Sequence, residues 1–251
     1  MHCDPATDVG RVGLRVGPIT SASDHVLVRL TSNGGHTSRP HLTGDLVFAL
    51  GQAITGIPAA LSRRLDPRSG VSLVWGRVSA GAAANAIPRS GVLEGTLRCL
   101  HVEAWEHASE LLTEVVAQVV APYGVHAELE HTRGVPPVVN DGACVALLDQ
   151  AARAELGEEC VLATEQSLGG EDFAWYLSHV PGALARLGTR TPGGPTFDLH
   201  RGDLDVDERV IGVGVRLLAG AALLASAPDA NADLPAAVAG DVSGAVPVPD
   251  R

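Results

Sequence analysis

Val26, Val28 and Leu30 fall at every second position of an apolar run, and from Gly91 to Cys99 Leu93, Leu97 and Cys99 interleave with Glu94, Thr96 and Arg98. A period of two marks strands with one covered face. Between them, Leu42, Leu46, Leu50, Ile54 and Ile57 recur at helical spacing and predict a helix from about Leu42 to Arg63, its last turn ended or bent by Pro58. A second strand follows at Val71–Val78. A second helix is predicted over Val102–Tyr123, with Trp105, Ala108, Leu112, Val115 and Val119 inward and Glu103, Glu106, Glu110 and Glu114 facing water. Val125–His131 reads as a fourth strand. The resulting β-α-β-β-α-β order over residues 24–135 is that of a ferredoxin-like split unit, an antiparallel sheet with both helices on one face. Its other face or an edge is left free for a second copy.

The grammar changes beyond Pro137. Helices at about Ala143–Leu156, Asp172–His179 and Asp207–Leu224 alternate with strands at Val161–Ala163 and Ala183–Leu187, an α/β layer too small to stand alone. Residues 1–23 hold a short extended stretch, Val12–Pro18, with nothing local to pack against, and read as the remnant of another part of that layer. The fold expected is α/β (α+β): a ferredoxin-like βαββαβ dimerisation domain at 24–135, inserted in an incomplete α/β catalytic domain formed by 1–23 and 136–226. The Ala-, Pro- and Gly-rich run at 227–251 lacks periodicity and reads as a disordered tail.

Composition narrows the picture. The chain has 251 residues, is 45% hydrophobic but only 3% aromatic, so its core must be built from Ala, Val and Leu. A net charge of −11 argues against nucleic acid or an anionic membrane as partner. The longest apolar stretch, Val210–Ala225, is interrupted by Arg216 and falls short of the roughly 20 residues that span a bilayer. Cys3, Cys99, Cys144 and Cys160 lack CxxC spacing, which fits reduced thiols in a cytoplasmic protein.

Three segments carry candidate chemistry. Ser32–Pro40 closes a β-branched run with a Gly-Gly pair, presents His36, and delays the next helix with Pro40, a way to hold an imidazole rigidly on a loop. Ser167–Phe173 puts Glu171 and Asp172 after a second Gly pair, a position that also suits plain helix capping. Asp198–Glu208 carries His200 just ahead of an apolar helix.

Six motifs in order give these segments a common meaning: His2 followed by Pro5, Gly10 and Val12; Gly-Gly-His-x-x-x-Pro at 34–40; Asn-x-Ile-Pro at Asn85–Pro88; Gly-Thr-x-Arg at Gly95–Arg98; Gly-Gly-Glu-Asp-Phe at 169–173; and Leu-His at 199–200 before Asp-x-Asp-Glu. From His2 to about Leu224 the chain resembles the zinc-dependent aminoacylase-like amidohydrolases, the metallopeptidase family that includes hippurate hydrolases and plant auxin-conjugate hydrolases. The resemblance implies a divalent metal, zinc or manganese, ligated in part by His2 and His200. It implies that His36 serves the partner subunit's active site by stabilising a tetrahedral oxyanion. Asn85 and Arg98 would grip a substrate carboxylate, Arg98 through its bidentate fork, and Glu171 would line the pocket. The implied substrates are N-acyl amino acids or similar amides, and the implied assembly is a homodimer through 24–135.

One departure qualifies these expectations. In the family, a Cys-x-His ligand pair and a Glu-Glu pair, source of the general base and a further ligand, precede the counterpart of His2. Here nothing precedes it but Met1, and Cys3 follows it. The chain is therefore expected to be the C-terminal part of an amidohydrolase, inactive alone; the alternative is a non-catalytic dimerising protein of the same descent.

Overall fold

The computed structural model describes residues 1–227. In chain order the strands and helices are β1 (His2–Asp8), β2 (Val12–Leu14), β3 (Gly17–Thr20), β4 (Ala22–Thr31), β5 (Gly35–His36), α1 (Leu46–Arg64), β6 (Ser72–Ala80), β7 (Ala86–Ile87), β8 (Ser90–Cys99), α2 (Val102–Val120), β9 (His126–Val135), β10 (Val138–Asn140), α3 (Gly142–Leu156), β11 (Val161–Ala163), α4 (Ala174–Leu177), β12 (Arg186–Arg190) and α5 (Arg209–Ala225).

Residues 22–135 form a four-stranded antiparallel sheet in the order β6-β8-β4-β9. The alternation read from the sequence decides which face is covered. Val26, Val28 and Leu30 of β4 and Leu93 and Leu97 of β8 meet Leu46, Ala49, Leu50, Ala53, Ile57 and Leu61 of α1 and Ala108, Leu112, Val115 and Val116 of α2 in one core. Helix α1 starts later than the expected Leu42, because Pro40–Leu42 takes a 3-10 turn and Asp45 caps the helix by accepting from Phe48 N at 3.2 Å. Pro58 does not end it: the helix runs on to Arg64. By length and composition α1 could cross a membrane, yet its inner face is this core.

The second layer is a four-stranded sheet in the order β1-β12-β2-β11. Strands β1 and β12 pair in parallel, as do β2 and β11, whereas β12 and β2 are antiparallel. The first residues of the chain thus pair with strands more than a hundred residues away, which is why no local partner was visible. Helices α3 and α5 cover the sheet through Val145, Leu148, Ala151, Ala152, Val213 and Leu217. Two expected elements shift: β12 begins at Arg186, not Ala183, and the helix expected over Asp172–His179 is a single turn, Ala174–Leu177. The tail expected to be disordered lies, beyond Ala227, outside the described residues.

The chain crosses between the layers at 20–22 and at 135–138, and both crossings are tied. Asp24, fully buried, accepts from Trp105 Nε1 (2.8 Å), His131 Nε2 (2.8 Å) and Gly134 N (3.0 Å). The guanidinium of Arg133 lies 4.5 Å above the Trp105 ring. The Ser167–Gly170 loop ties the same place from the other layer: Ser21 N donates to Ser167 O (3.1 Å), Ser21 Oγ to Leu168 O (2.8 Å), and Ser167 N to Ile19 O (2.9 Å). A Cβ on Gly170 would lie 2.9 Å from Val135 and 3.0 Å from Ser23. Close packing, not only a tight turn, therefore requires that glycine.

Candidate active-site segments

His36 stands on a two-strand ribbon built by its own sequence. Strand β5 pairs with β7, Gly35 opposite Ile87 and His36 opposite Ala86, and Thr37 N donates to Asn85 O at 3.2 Å. Gly34 turns the chain into the ribbon with φ +66°, and any Cβ there would lie 2.8 Å from Arg89 and 3.0 Å from Ile87 O. Ser32 Oγ completes the turn, accepting from Gly34 N at 3.1 Å. The ribbon thus brings His36 and Asn85 side by side, both exposed.

The orientation of the imidazole follows from one neighbour. Ser38 N lies 3.1 Å and Ser38 Oγ 2.8 Å from His36 Nδ1. A backbone N–H can only donate, so Nδ1 is the acceptor and the proton of the neutral ring sits on Nε2. Among the described residues nothing in the chain hydrogen-bonds Nε2, which leaves an N–H donor aimed outward. Beside the ribbon, Thr37, Pro40, Val47, Phe48 and Ala84 help line a cavity of about 730 Å³.

Arg98 is joined at the junction to the loop that leads to Glu171. The Arg98 guanidinium donates to Leu168 O, fastening β8 to the loop that carries Glu171. Further donors of the fork remain, facing a groove on the uncovered sheet face with His25, Arg77, Glu94 and Thr96. Glu171 is half-buried, and its Oε1 lies 3.4 Å from Phe173 N, so it also trims the start of α4. Glu94 bridges His25 (2.9 Å) and Arg77 (3.0 Å), and these two donors hold its carboxyl below the ordinary range.

The metal expectation fares differently. His2 Nδ1 lies 2.8 Å from Cys3 O, an arrangement that leaves Nε2 unprotonated and fit to ligate. Arg186 Nη1 sits 3.4 Å from the same Nδ1, on the ring edge away from Nε2. His200 is exposed and left-handed at φ +65°. Among the described residues no group of three or more His, Cys, Asp or Glu is placed to hold a metal ion. The donors present do not make a site, since tight divalent centres take three or four protein ligands.

Sequence reasoning placed Trp105 on the inner face of the second helix but did not join it to Asp24 or His131. Their partners are 81 to 110 positions apart, and no local pattern announces them.

A β-α-β-β-α-β unit carrying an outward histidine, welded to an α/β layer that ends in His200 and an apolar helix, defines a class of protein, and the comparisons identify it. Residues 1–224 match the model of peptidase family M20/M25/M40. The chain belongs to that family. It is 49% identical over 218 residues to a Rhodococcus jostii protein named "Putative glutamate--cysteine ligase 2-3", covering 87% of this chain and 28% of that protein. It is 32% identical over 212 residues to the N-acetyl-L-cysteine deacetylase of Bacillus subtilis, covering 84% of this chain and 49% of that one. A solved Bacillus subtilis structure, a dinuclear metal-binding peptidase of family M20, superimposes with a TM-score of 0.73 at 29% identity, covering 89% of this chain and 55% of that one. The chain therefore spans about half the length, or less, of these relatives.

Proposed function

We propose that this chain is the C-terminal part of a metal-dependent amidohydrolase that releases the acyl group from N-acyl amino acids, and that its role in the reaction is to supply His36 to a partner subunit. The observation that carries the proposal is the pairing of an outward Nε2–H donor on a rigid ribbon with the absence, among the described residues, of a gathered metal-ligand set. A donor preset toward developing negative charge is what a tetrahedral oxyanion needs. The names of the relatives, deacetylases of N-acetylcysteine and of N-acetyldiaminopimelate, favour small N-acyl amino acids as the substrate class. Asn85, beside His36, and the remaining donors of Arg98 suit a substrate carboxylate, with Glu171 at the pocket wall. His2 and His200 would join ligands from the missing half, and the metal, zinc or manganese, would supply Lewis-acid chemistry there. The setting proposed is the cytoplasm, where the four free cysteines stay reduced.

The ferredoxin-like unit at 24–135 is proposed as the dimerisation domain, set between 1–23 and 136–226 as the two stretches of the catalytic layer. Strand β6 is an open sheet edge, and Val78 on it is 56% exposed, as are Val47 and Phe48 of α1 by about half. A long, apolar open edge invites pairing with another strand. Light scattering of the full chain is expected to give twice the monomer mass, and Val78→Glu to give a folded monomer. A clean monomer for the unaltered chain refutes the cross-subunit role of His36.

A further inference from the structure

Two arginines on the ribbon that presents His36 have no partner. Among the described residues, only the guanidiniums of Arg39, Arg63, Arg89 and Arg216 make neither an ion pair nor a hydrogen bond; every other one is engaged. Arg63 lies in the last turn of α1, where a cation meets the negative end of the helix dipole, and Arg216 stands apart on α5. Arg39 and Arg89 belong to the ribbon, which fixes the backbone of both. Arg39 N donates to His36 O at 2.9 Å, closing the turn that carries the imidazole. Arg89 O accepts from Ser32 N at 3.0 Å, and its stem lies across Gly34, where a Cβ would come 2.8 Å from Arg89 Cγ. Both residues are exposed, as are His36 and Asn85.

The local charge is one-sided. Residues 32–44 and 81–90, the ribbon and its flanks, contain no Asp or Glu, although the chain as a whole carries a net charge of −11. Asp45, the acid that follows, is occupied in capping α1, accepting from Phe48 N at 3.2 Å. A guanidinium taken out of water without a counter-anion is destabilising, and the ribbon is proposed to leave water when His36 enters a partner's site. Its two open forks therefore call for an anion that arrives with the substrate. The α-carboxylate of an N-acyl amino acid already has Asn85 and Arg98 to receive it. We infer that Arg39 and Arg89 are specificity-determining residues that receive a second carboxylate, the one on the side chain of an N-acyl aspartate or glutamate, through the bidentate fork that arginine offers. The inference rests on the reading of His36 and Asn85 as groups that meet substrate. It adds an acidic side chain to the substrate class.

The test is an NMR titration of the full chain with N-acetylglutamate and with N-acetylglutamine, which differ by one charge and almost nothing in shape. The His36 imidazole and Asn85 side-chain amide signals report binding of either. N-acetylglutamate is expected to bind about 10-fold tighter or more, the scale of one charge-assisted hydrogen bond, and the preference should shrink as salt is added. Arg39→Gln and Arg89→Gln, which alter exposed side chains only, should each reduce the preference. The double variant should abolish it, with circular dichroism and sedimentation unchanged. Equal affinities, or a preference that survives the double variant, overturn the inference and leave the reading of His36 and Asn85 standing. A double variant that loses the self-association of the unaltered chain overturns it by assigning the arginines to the partner's surface. Titrations in which neither compound moves the His36 or Asn85 signals overturn the inference together with the reading beneath it.

Discussion

Asp24→Ala is expected to lower the stability of the chain by about 3–5 kcal/mol, the range for removing one member of a buried, hydrogen-bonded charged group. The carboxylate is fully buried and serves three donors: Trp105 on α2, and His131 and the Gly134 amide near the end of β9. Alanine leaves all three unsatisfied at once. His131 is already constrained, because its Nδ1 is buried without a partner, so its ring has no second acceptor to turn to. Asp24→Asn, which keeps one carbonyl oxygen, should lose less. The sign of the pH dependence follows from the carboxyl itself. Burial pushes its pKa up, but the hydrogen bonds from His131, Trp105 and Gly134 outweigh burial and leave it below the ordinary 3.8. A lowered folded pKa contributes stability that is fully present above 3.8 and is lost as pH falls through the folded value. Urea titrations of the unaltered chain and the two variants at neutral pH and below 3.8 check both points. A loss of under about 1 kcal/mol for Asp24→Ala would remove Asp24 from its place as the clamp of the junction.

Leu112→Ala is the second large effect, about 2–5 kcal/mol. With only 3% aromatic residues, the main core has no large ring at its centre; Trp75 and Tyr123 pack only at its margin. Leu112, fully buried on α2, lies among Val, Leu and Ala side chains contributed by both helices and the sheet. Truncation there leaves a cavity that neighbouring small side chains cannot fill without moving the helix. Leu112→Met, which conserves volume, should cost under about 1.5 kcal/mol. Equal losses for the two variants, measured by chemical denaturation, would mean that shape at this site matters less than the packing implies.

What was legible in the sequence divides along one physical line. Helix α2 and strands β4 and β8 were readable because each buries one face, and burial of one face writes a period of 3.6 or 2 into neighbouring residues. The start of α1 was misplaced by reading Leu42 as helical, although Asp45, three residues before Phe48, is the capping signal. Helix α4 was overdrawn because Phe173, Ala174 and Leu177 bury themselves against Ile19, Val138 and Leu184 in a small cluster, which a single turn suffices to do. Strand β1 and the Asp24 cluster were not readable, since their partners lie far along the chain and register between distant strands leaves no local mark. The candidate site splits in the same way. The His36–Asn85 pairing follows from two turn-forming segments that local chemistry could announce. The docking of Arg98 onto Leu168, and the guanidinium beside His2, depend on how the layers meet.

The central proposal is that this chain carries M20 active-site parts and that its described residues do not by themselves make an M20 metal centre. Its most direct test is turnover by the purified chain, with zinc or manganese added, on N-acetylcysteine and a panel of other N-acyl amino acids, read as free amine. The account predicts no metal-dependent release above the protein-free control for any member of the panel. Release that requires the chain and the metal, and that disappears with a chelator, would contradict it.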